Sequence, residues 1–471
     1  DTIRPVDHDL VDLAFNKKKA DDRKEWLRQF VPGTYLDHRI RNIPISDFIN
    51  KELILFSMAD NIRSIPSVVD GLKPGQRKVL FGCFKRNLKT EIKVQQLQGY
   101  VSEHTAYHHG DQSLVMTIVG LAQDYCGSNN VNLLLPNGQF GTRSMGGKDA
   151  ASARYIFTAV PRITRLMFHP KDDDLLNYLD DDGQSIEPEW YVPVVPHVLL
   201  NGAEGIGTGW STFVPNYNPR DVVENLRRRM AGEEYVPMTP WYRGFVGTIE
   251  HSAADRFRVL GNATQLDERT WEITELPVRV WTSTYKEWLE ERVVGSDKTP
   301  STLREYKEYH TDTTVHFVVE LNSRGEEEIA RVGPEAFFKL STVISTGNMV
   351  LFNPEGKIKK YASPLEILDD FYFLRLGFYQ RRKEHLVDQL KLVYDRLSNQ
   401  ARFVSMIISK GLSVSNRKKA DIMDELRQLN FQAFPKVEAK TKSVADEAVE
   451  DQDELDEPTG TTTDFDYLLS M

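Results

Sequence analysis

Cysteine is scarce in this chain of 471 residues, which contains only Cys83 and Cys126. Two cysteines exclude a scaffold of several disulfides and a cysteine-rich zinc site, and they fit a reducing compartment. Long apolar runs are also missing, because no stretch approaches the roughly 20 residues that a membrane-spanning helix needs. The chain starts with Asp1-Thr-Ile-Arg-Pro5 rather than with a signal peptide. We therefore expect a fragment of a longer protein that does not span a membrane.

Positive charge is in deficit overall but is concentrated in one part of the chain. The net charge is −10, yet residues 51–170 carry 14 Lys and Arg against 8 Asp and Glu, a local charge of +6. Eight acids lie in the short segment 446–457. A basic region between acidic flanks is compatible with a polyanionic partner, although ordinary surface variation explains the charge equally well.

Length and 40% hydrophobic content allow about three domains. Residues 45–180 predict a compact helical domain of the winged helix-turn-helix type. Its signals are a helix from Pro74, a helix near Asp111 with apolar residues at i, i+4, i+7 and i+11, and a strand-like run at 131–135. Helix-turn-helix units of this kind present their second helix to a duplex groove.

The remaining chain changes character twice. Residues 181–345 alternate or are β-branched in several runs, interrupted by helical stretches near 219–231 and 283–293, which predicts an α+β domain. Residues 346–471 contain a 3-4 apolar repeat from Leu386 to Ile408, which predicts a coiled-coil arm. The acidic segment 441–463 is predicted to be disordered. The fold class is therefore α+β, multidomain and helix-rich.

Arg154 and Tyr155 follow the small-residue run Gly146-Gly-Lys-Asp-Ala-Ala-Ser-Ala. A phenol is a poor nucleophile at neutral pH, since its unperturbed pKa is about 10. It becomes effective beside a cation that stabilises the charge on phosphate oxygens, and a guanidinium suits that task. Most Arg-Tyr pairs have no such role, so the pair alone is a weak signal.

Other motifs have competing interpretations. Gly141–Lys148 resembles a Walker loop but lacks its lysine and its Ser/Thr. The glycines from Gly202 to Gly209 favour a structural turn with Ile206 in a core, and the alternative is an apolar wedge that unstacks a base step. Lys17, Lys18 and Lys19 are either phosphate contacts or a solvated helix face. Neither a histidine-cysteine cluster nor a convincing carboxylate set predicts a metal site.

Several long segments together resemble the DNA-breaking and rejoining region of the type IIA DNA topoisomerases, in particular eukaryotic topoisomerase II. These segments are Lys51–Pro66, Asp70–Leu80, Tyr107–Gly110, Pro136–Arg143, Gly146–Thr158 and Asn201–Ser211. The resemblance is highly specific and runs over nearly the whole chain. The resemblance implies a winged-helix DNA-cleavage domain at 45–180, a tower domain at 181–345, and a coiled-coil arm with a helical dimer gate at 346–471. It also implies that residues 1–44 are the tail of a metal-binding Toprim region and a linker.

The resemblance assigns roles to single residues. Tyr155 matches the nucleophile that takes a 5′ phosphate at a DNA break, and Arg154 matches its transition-state stabiliser. Arg63 and His109 match further active-site positions. The implied DNA-contacting residues are Lys73, Tyr107, Trp281 and the intercalating Ile206, and to these we add Arg77, Lys17, Lys18 and Lys19 from the basic clusters.

The resemblance also implies partners and missing parts. The parent enzyme is expected to be a nuclear, ATP-dependent homodimer that acts on double-stranded DNA and uses Mg²⁺. The Mg²⁺ and ATP sites are expected outside this chain, so the fragment alone is predicted to be inactive. Two alternatives stay open: a non-catalytic DNA-binding and dimerisation module, and a tyrosine recombinase or type IB enzyme, which would leave a 3′ rather than a 5′ phosphotyrosine.

Overall fold

The boundary between the two structural units of this chain lies inside a helix of 45 residues. The computed structural model describes residues 4–107, 109–296, 299–415, 417–435 and 463–469. The first unit is Asp1–Phe378 and the second is Tyr379–Met471. Each unit has its own hydrophobic core.

The amino-terminal helices pack around Trp26, Leu27, Ile49 and Ile54. They are α1 (Pro5–Phe15), α2 (Ala20–Arg28), α3 (Ile45–Phe48), a π-helical turn (Ile49–Leu53) and α4 (Ile54–Ser64). Lys17, Lys18 and Lys19 lie in the turn between α1 and α2, not on the face of a helix.

Three amphipathic helices follow and share the largest described core. They are α5 (Pro74–Lys85), α6 (Val94–His104) and α7 (Asp111–Ala122), with the short strands β1 (Ile92–Lys93) and β2 (Phe157–Thr158) paired antiparallel. Pro74 is the first residue of α5, as predicted, since a first helical residue needs no N–H partner. The helix predicted near Asp111 is α7, and its N-cap is Gly110 at φ +86°, a backbone angle that suits glycine.

The predicted strand at 131–135 is wrong. Leu133 and Leu134 are buried, but in irregular backbone whose N–H groups donate to the Leu121 carbonyl at the end of α7. Residues 190–196 are likewise irregular, although Tyr191 and Val192 are buried as a strand would bury them. Burial therefore follows the apolar sequence at both places, while the hydrogen bonding does not follow a sheet.

The rest of the first unit alternates short helices with antiparallel strands. The helices are α8 (Arg162–Met167), a 3-10 turn (Pro170–Leu175), α9 (His197–Asn201), α10 (Pro219–Ala231), α11 (Thr282–Val294), α12 (Ser323–Val332) and α13 (Pro334–Phe337). The strands are β3 (Tyr178–Asp181), β4 (Gln184–Pro188), β5 (Ala203–Ile206), β6 (Ser211–Val214), β7 (Thr248–Ala253), β8 (Arg256–Leu260), β9 (Asn262–Gln265), β10 (Thr270–Glu275), β11 (Leu303–Glu308), β12 (Phe317–Leu321), β13 (Ser341–Ser345), β14 (Met349–Phe352) and β15 (Ile358–Tyr361).

The larger sheets of this region have the orders β11-β12-β10-β9 and β13-β8-β7. A separate core lies on the first sheet, formed by residues such as Ile273, Leu289 and Phe317. These strands lie within the region of alternating runs predicted at 181–345, and the helical stretches predicted near 219–231 and 283–293 are α10 and α11. The mixed helix and strand content of the predicted class is thus present.

The helix α14 (Pro364–Ile408) spans the unit boundary, and its apolar repeat is exposed at Leu390, Leu397 and Ile408. Beyond it, the second unit contains α15 (Lys419–Gln428), β16 (Phe434–Pro435), β17 (Thr463–Asp464) and α16 (Asp466–Leu469). Its core joins Phe403, Ile422, Leu426, Phe431, Phe465 and Leu468. A continuous helix is present, and its pairing as a coiled coil stays a prediction. The predicted disorder falls almost entirely outside the described residues.

Candidate functional site

The hydroxyl-bearing ring of Tyr155 is exposed at the end of a long loop. The side chain is 65% exposed, and the guanidinium carbon of Arg154 lies 4.9 Å from the centre of its ring. The buried Ile156 and Thr158 follow directly, so the backbone is anchored while the phenol faces outwards. This arrangement presents a nucleophile with an adjacent cation to a ligand from outside the chain.

The loop before Tyr155 is fastened to the segment 275–283. Arg143 forms a buried ion pair of 2.6 Å with Glu275. The backbone N–H and the hydroxyl of Ser283 donate to the carbonyl oxygen of Ser144, at 3.0 and 2.8 Å. Buried ion pairs hold geometry because breaking one leaves an unpaired charge. The tyrosine loop is therefore positioned by the neighbouring α+β region.

Trp281, which the resemblance makes a DNA-contacting residue, packs on this loop. A Cβ at Gly146 would lie 2.4 Å from the indole ring, so only glycine permits this approach. The indole also meets Tyr125 edge-on, with ring centres 5.8 Å apart. Trp281 is half-buried. It holds the tyrosine loop in place, and its contact with DNA stays a prediction.

Arg63 lies in the last turn of α4 and has a partner there. Its Nη2 is 2.8 Å from Oδ1 of Asp60, and the arginine side chain is 53% exposed. The guanidinium has five N–H donors in a planar fork. One side of the fork is thus fixed by a carboxylate, and the remaining donors are free to meet an anion.

Ile206 is 85% exposed at the tip of the β5–β6 hairpin, where it pairs with Ser211. The local interpretation that placed it in a core is therefore wrong. The outward direction of Ile206 follows from the glycines on either side of it. A Cβ on Gly205 would stand 1.9 Å from the Ser64 carbonyl oxygen, and one on Gly207 would stand 2.2 Å from Oδ1 of Asn61. The hairpin backbone is pressed against α4, which leaves Ile206 facing outwards.

Lys73 precedes α5 beside the same hairpin. Its Nζ lies 3.6 Å from the Cβ position of Gly205. Burial lowers the pKa of this lysine, and the nearby Glu204 carboxylate opposes that shift. Glu204 is itself paired with Arg279 at 2.5 Å. A half-buried ammonium beside a carboxylate that is bound to another cation favours an external anion such as phosphate.

Tyr107 and His109 lie before the amino terminus of α7. The hydroxyl of Tyr107 donates to Ser113 at 3.1 Å, and its ring meets the exposed His109 edge-on at 5.6 Å. Tyr107 also lies 4.0 Å from the Cβ position of Gly75, in the first turn of α5. These aromatic side chains therefore sit close to the start of the helix that Lys73 precedes. The adjacent His108 falls outside the described residues.

Arg77 does not belong to a DNA-binding surface, which corrects the prediction made from the basic cluster. It is 6% exposed, and its Nε and Nη2 contact both oxygens of the fully buried Asp70, at 2.8 and 3.1 Å. It also donates to the Leu72 carbonyl. Asp70 in addition accepts from the N–H of Tyr191. Through Asp70, Arg77 therefore holds the start of α5 against the irregular segment that contains Tyr191.

The three amino-terminal lysines differ in their exposure and in their partners. Lys17 and Lys18 are exposed, whereas Lys19 forms an ion pair of 3.0 Å with Asp12. That pairing with Asp12 raises the pKa of Lys19. Lys17 and Lys18 are open to an external polyanion, and Lys19 would first have to give up its carboxylate.

The structure brings several of the predicted site residues together in three groups. Arg63, Lys73 and Ile206 share one patch through the contacts of Gly205 with α4 and Lys73. Arg154 and Tyr155 form the second group, and Tyr107 and His109 form the third. Among the described residues, no hydrogen bond, ion pair or ring contact joins Tyr155 to Arg63 or His109.

Sequence reasoning missed Asp60 and Thr208. The hydroxyl of Thr208 donates to Oδ2 of Asp60 at 3.0 Å. Asp60 therefore contacts both Arg63, on its own helix α4, and the hairpin that carries Ile206. The i, i+3 spacing of Asp60 and Arg63 was the available signal. Nothing local indicated Thr208, which is distant in the chain.

Within the described part of the chain, no group of three or more His, Cys, Asp or Glu side chains is placed to hold a metal ion. The helices of that same part include none that is long and apolar enough to cross a membrane.

Comparison with known proteins shows the family of the chain. The family model for the A-type subunit of DNA gyrase/topoisomerase IV matches residues 63–471, so the chain belongs to this family. A second model, the C-terminal associated domain of TOPRIM, matches residues 2–61. The resemblance found in the sequence is thereby confirmed.

Particular relatives carry the name DNA topoisomerase 2. The chain is 54% identical to that of Candida albicans over 470 residues, which cover 98% of this chain and 32% of the relative. It is 51% identical to that of Arabidopsis thaliana over 484 residues, covering 99% and 32%. The chain thus spans about a third of the length of these curated relatives.

A solved structure is similar in fold. It is the crystal structure of the Plasmodium falciparum topoisomerase II DNA-binding, cleavage and re-ligation domain. The TM-score is 0.84 at 42% sequence identity, over 99% of this chain and 63% of that one.

Proposed function

We propose that this chain is the DNA breakage and reunion region of an ATP-dependent type IIA topoisomerase. The phenolic oxygen of Tyr155 attacks a backbone phosphorus and loses its proton. The bond from phosphorus to the 3′ oxygen breaks, and that oxygen leaves as a protonated 3′ hydroxyl. The DNA end then carries a 5′-phosphotyrosyl link. The observation that carries this proposal is the exposed ring of Tyr155 with the Arg154 guanidinium 4.9 Å from it.

The reverse reaction uses the same atoms. The 3′ hydroxyl attacks the phosphotyrosine and releases Tyr155, so resealing needs no external energy source. Arg154 stabilises the negative charge on the phosphate oxygens in both directions. Arg63 and His109 are assigned to the same centre by resemblance, and the exposure of both side chains supports an external phosphate as their partner.

The duplex is proposed to lie on the patch of Arg63, Lys73 and Ile206. An exposed isoleucine on a hairpin packed against α4 suits a wedge that unstacks one base step and bends the DNA. Lys73 supplies charge to a phosphate beside the wedge. Further contacts are assigned to Tyr107, Trp281, Lys17 and Lys18. Lys19 joins them only if DNA displaces Asp12.

We assign the finer architecture by the same resemblance. Residues 45–180 are proposed as the winged-helix domain, 181–345 as the tower and 346–471 as the coiled-coil arm with its dimer gate. The helical packing of α5, α6 and α7 and the sheets of 248–345 support the first two. Residues 1–44 are proposed as the Toprim tail. The complete enzyme is proposed to be a nuclear homodimer whose Mg²⁺ and ATP sites lie in other domains.

The polarity of the covalent link tests this function. Duplex DNA labelled at its 3′ or 5′ end is incubated with Mg²⁺ and this chain joined to the family's metal-binding region, then denatured. A 5′-phosphotyrosyl link retains the label of the 3′-labelled strand on the protein. Retention of the 5′ label instead would identify a type IB or recombinase mechanism and contradict the proposal.

The same assay addresses the non-catalytic alternative. The chain without the metal-binding region is expected to bind and retard duplex DNA but form no adduct. If the joined protein also binds DNA without any adduct, the chain is a DNA-binding module rather than half of a cleavage centre.

A further inference from the structure

Asp60 uses both of its carboxylate oxygens to connect two parts of the proposed site. Oδ1 accepts from Nη2 of Arg63 at 2.8 Å, and Oδ2 accepts from the hydroxyl of Thr208 at 3.0 Å. The side chain is 17% exposed. One carboxylate therefore joins an arginine on α4 to the hairpin that carries Ile206.

The hairpin end is attached to α4 at more than this point. The carbonyl of Thr208 accepts from Nδ2 of Asn61 at 3.1 Å. Gly207 packs so closely on Asn61 that a Cβ there would stand 2.2 Å from its Oδ1. Thr208 is only two residues beyond Ile206, so a displacement of the wedge moves the hydroxyl that Asp60 binds.

We propose that Asp60 is a positioning residue that couples insertion of the Ile206 wedge to the orientation of Arg63. This inference rests on the proposed function, because it needs Ile206 to enter DNA and Arg63 to meet a phosphate. Charge-assisted hydrogen bonds to a carboxylate fix the plane of a guanidinium. The carboxylate holds one side of Arg63, and the other donors reach the phosphate.

The coupling has a physical direction. When DNA presses on Ile206, Thr208 and its hydroxyl shift, and the carboxylate that shares this bond follows. Arg63 is then aimed by the bent duplex rather than by α4 alone. A ligand changes a conformation only through interactions that differ between the two states, and the Thr208 hydroxyl bond is such an interaction.

The variants for the test are Asp60→Asn, Thr208→Val, Thr208→Ser and Arg63→Ala, each in the chain joined to the metal-binding region. Asparagine keeps the size of Asp60 and a hydrogen bond to Thr208 but loses the charge that orients Arg63. Serine keeps the hydroxyl that valine lacks. Asp47→Asn is the matched control, because Asp47 pairs with Lys51 at 3.1 Å on a neighbouring helix.

DNA bending is measured by energy transfer between labelled duplex ends, and cleavage by the yield of covalent adduct. We expect Asp60→Asn and Thr208→Val to reduce adduct formation about 10-fold while bending persists, since small misplacements at a reacting centre are costly. Thr208→Ser and Asp47→Asn should behave as wild type. In the Arg63→Ala background, Asp60→Asn should have no further effect on adduct formation.

Two outcomes would contradict the positioning role of Asp60 without contradicting the proposed function. One is an equal loss of adduct from Asp60→Asn whether or not Arg63 is present. The other is a parallel loss of bending and cleavage, which would indicate a merely structural carboxylate. Failure of the wild-type protein to form any adduct is a different result, because it overturns the proposed function itself.

Discussion

The backbone of Gly205 packs directly on the carbonyl oxygen of Ser64, the last residue of α4. A Cβ on Gly205 would stand 1.9 Å from that oxygen. Because the contacting atom belongs to the backbone, no side chain could rotate to relieve the clash. The hairpin that carries Ile206 can therefore pack on α4 only because residue 205 is glycine.

Gly205→Ala is expected to lower the unfolding free energy by about 1–3 kcal/mol, because the hairpin must move off α4. DNA bending should fall as well, since Ile206 moves with the hairpin. Denaturant unfolding and end-to-end energy transfer on a labelled duplex measure the two effects.

Gly99→Ala is the control for that substitution. Gly99 lies exposed inside α6, with nothing within 4 Å of its Cβ position. Alanine there should stabilise the helix by about 0.5–1 kcal/mol and leave DNA bending unchanged. Equal effects of the two alanines would contradict the close packing of the hairpin on α4.

Arg77→Met tests the reassignment of Arg77 from DNA contact to buried ion pair. Removing the guanidinium leaves the fully buried Asp70 unpaired, so the unfolding free energy should fall by about 3–5 kcal/mol. A residue that instead contacted a phosphate would leave stability intact. It would lower the slope of log affinity against log salt by about 0.9.

The matched control is Lys89→Met, because Lys89 is exposed near the end of the same basic cluster. Its unfolding free energy should change little. A variant of Arg77 that folds as stably as this control, with a reduced salt slope, would restore the DNA-binding interpretation.

Ile206→Ala is expected to reduce DNA bending while leaving the free energy of unfolding unchanged. The side chain is 85% exposed, so its truncation opens no cavity in the folded chain. Val294→Ala provides the comparison, since Val294 is also β-branched and 81% exposed but lies at the end of α11. Bending that survives in Ile206→Ala would exclude the wedge.

His197 predicts a pH dependence of stability. It is buried, with Nδ1 2.9 Å from the Asp70 carbonyl and Nε2 3.0 Å from Nδ2 of Asn201. These partners fit a neutral imidazole with its proton on Nδ1. Burial lowers the pKa of His197 below 6.5 in the folded state, more than the contacts with Asp70 raise it.

Because the folded pKa is the lower one, the unfolded chain takes up the proton first as the pH falls. The stabilising contribution is thus fully present above pH 6.5 and is lost as the pH falls through the folded value. The unfolding free energy should decrease below pH 6.5 by at most about 1.4 kcal/mol per pH unit from this residue. Denaturant titrations of His197→Gln should show a shallower slope there, and equal slopes would contradict the assignment.

The sequence predicted elements well where local periodicity and burial agree. The helix that begins at Pro74 and the helical stretch near 219–231 are examples, since each has an apolar face of helical period. It failed at 131–135, where the run is apolar but its backbone hydrogen bonds go to the end of α7. Apolar composition fixes burial there without fixing the backbone partner.

The sequence likewise predicts only part of the site. The exposure of Tyr155 beside Arg154 agrees with the chemistry expected of the pair. Arg77 could not be told from its basic neighbours, because its partner Asp70 becomes decisive only when both are buried. The outward direction of Ile206 depends on Ser64 and Asn61, which lie more than a hundred residues earlier.

The most direct test of the account is the covalent adduct formed by Tyr155→Phe. The substitution removes only the attacking oxygen from an exposed ring, so folding and duplex binding should be retained. Tyr309→Phe is the control, because Tyr309 is likewise 59% exposed. With Mg²⁺, the metal-binding region and labelled duplex, we predict that Tyr309→Phe forms the 5′-linked adduct as wild type does and Tyr155→Phe forms none. Adduct formation by Tyr155→Phe would contradict the account.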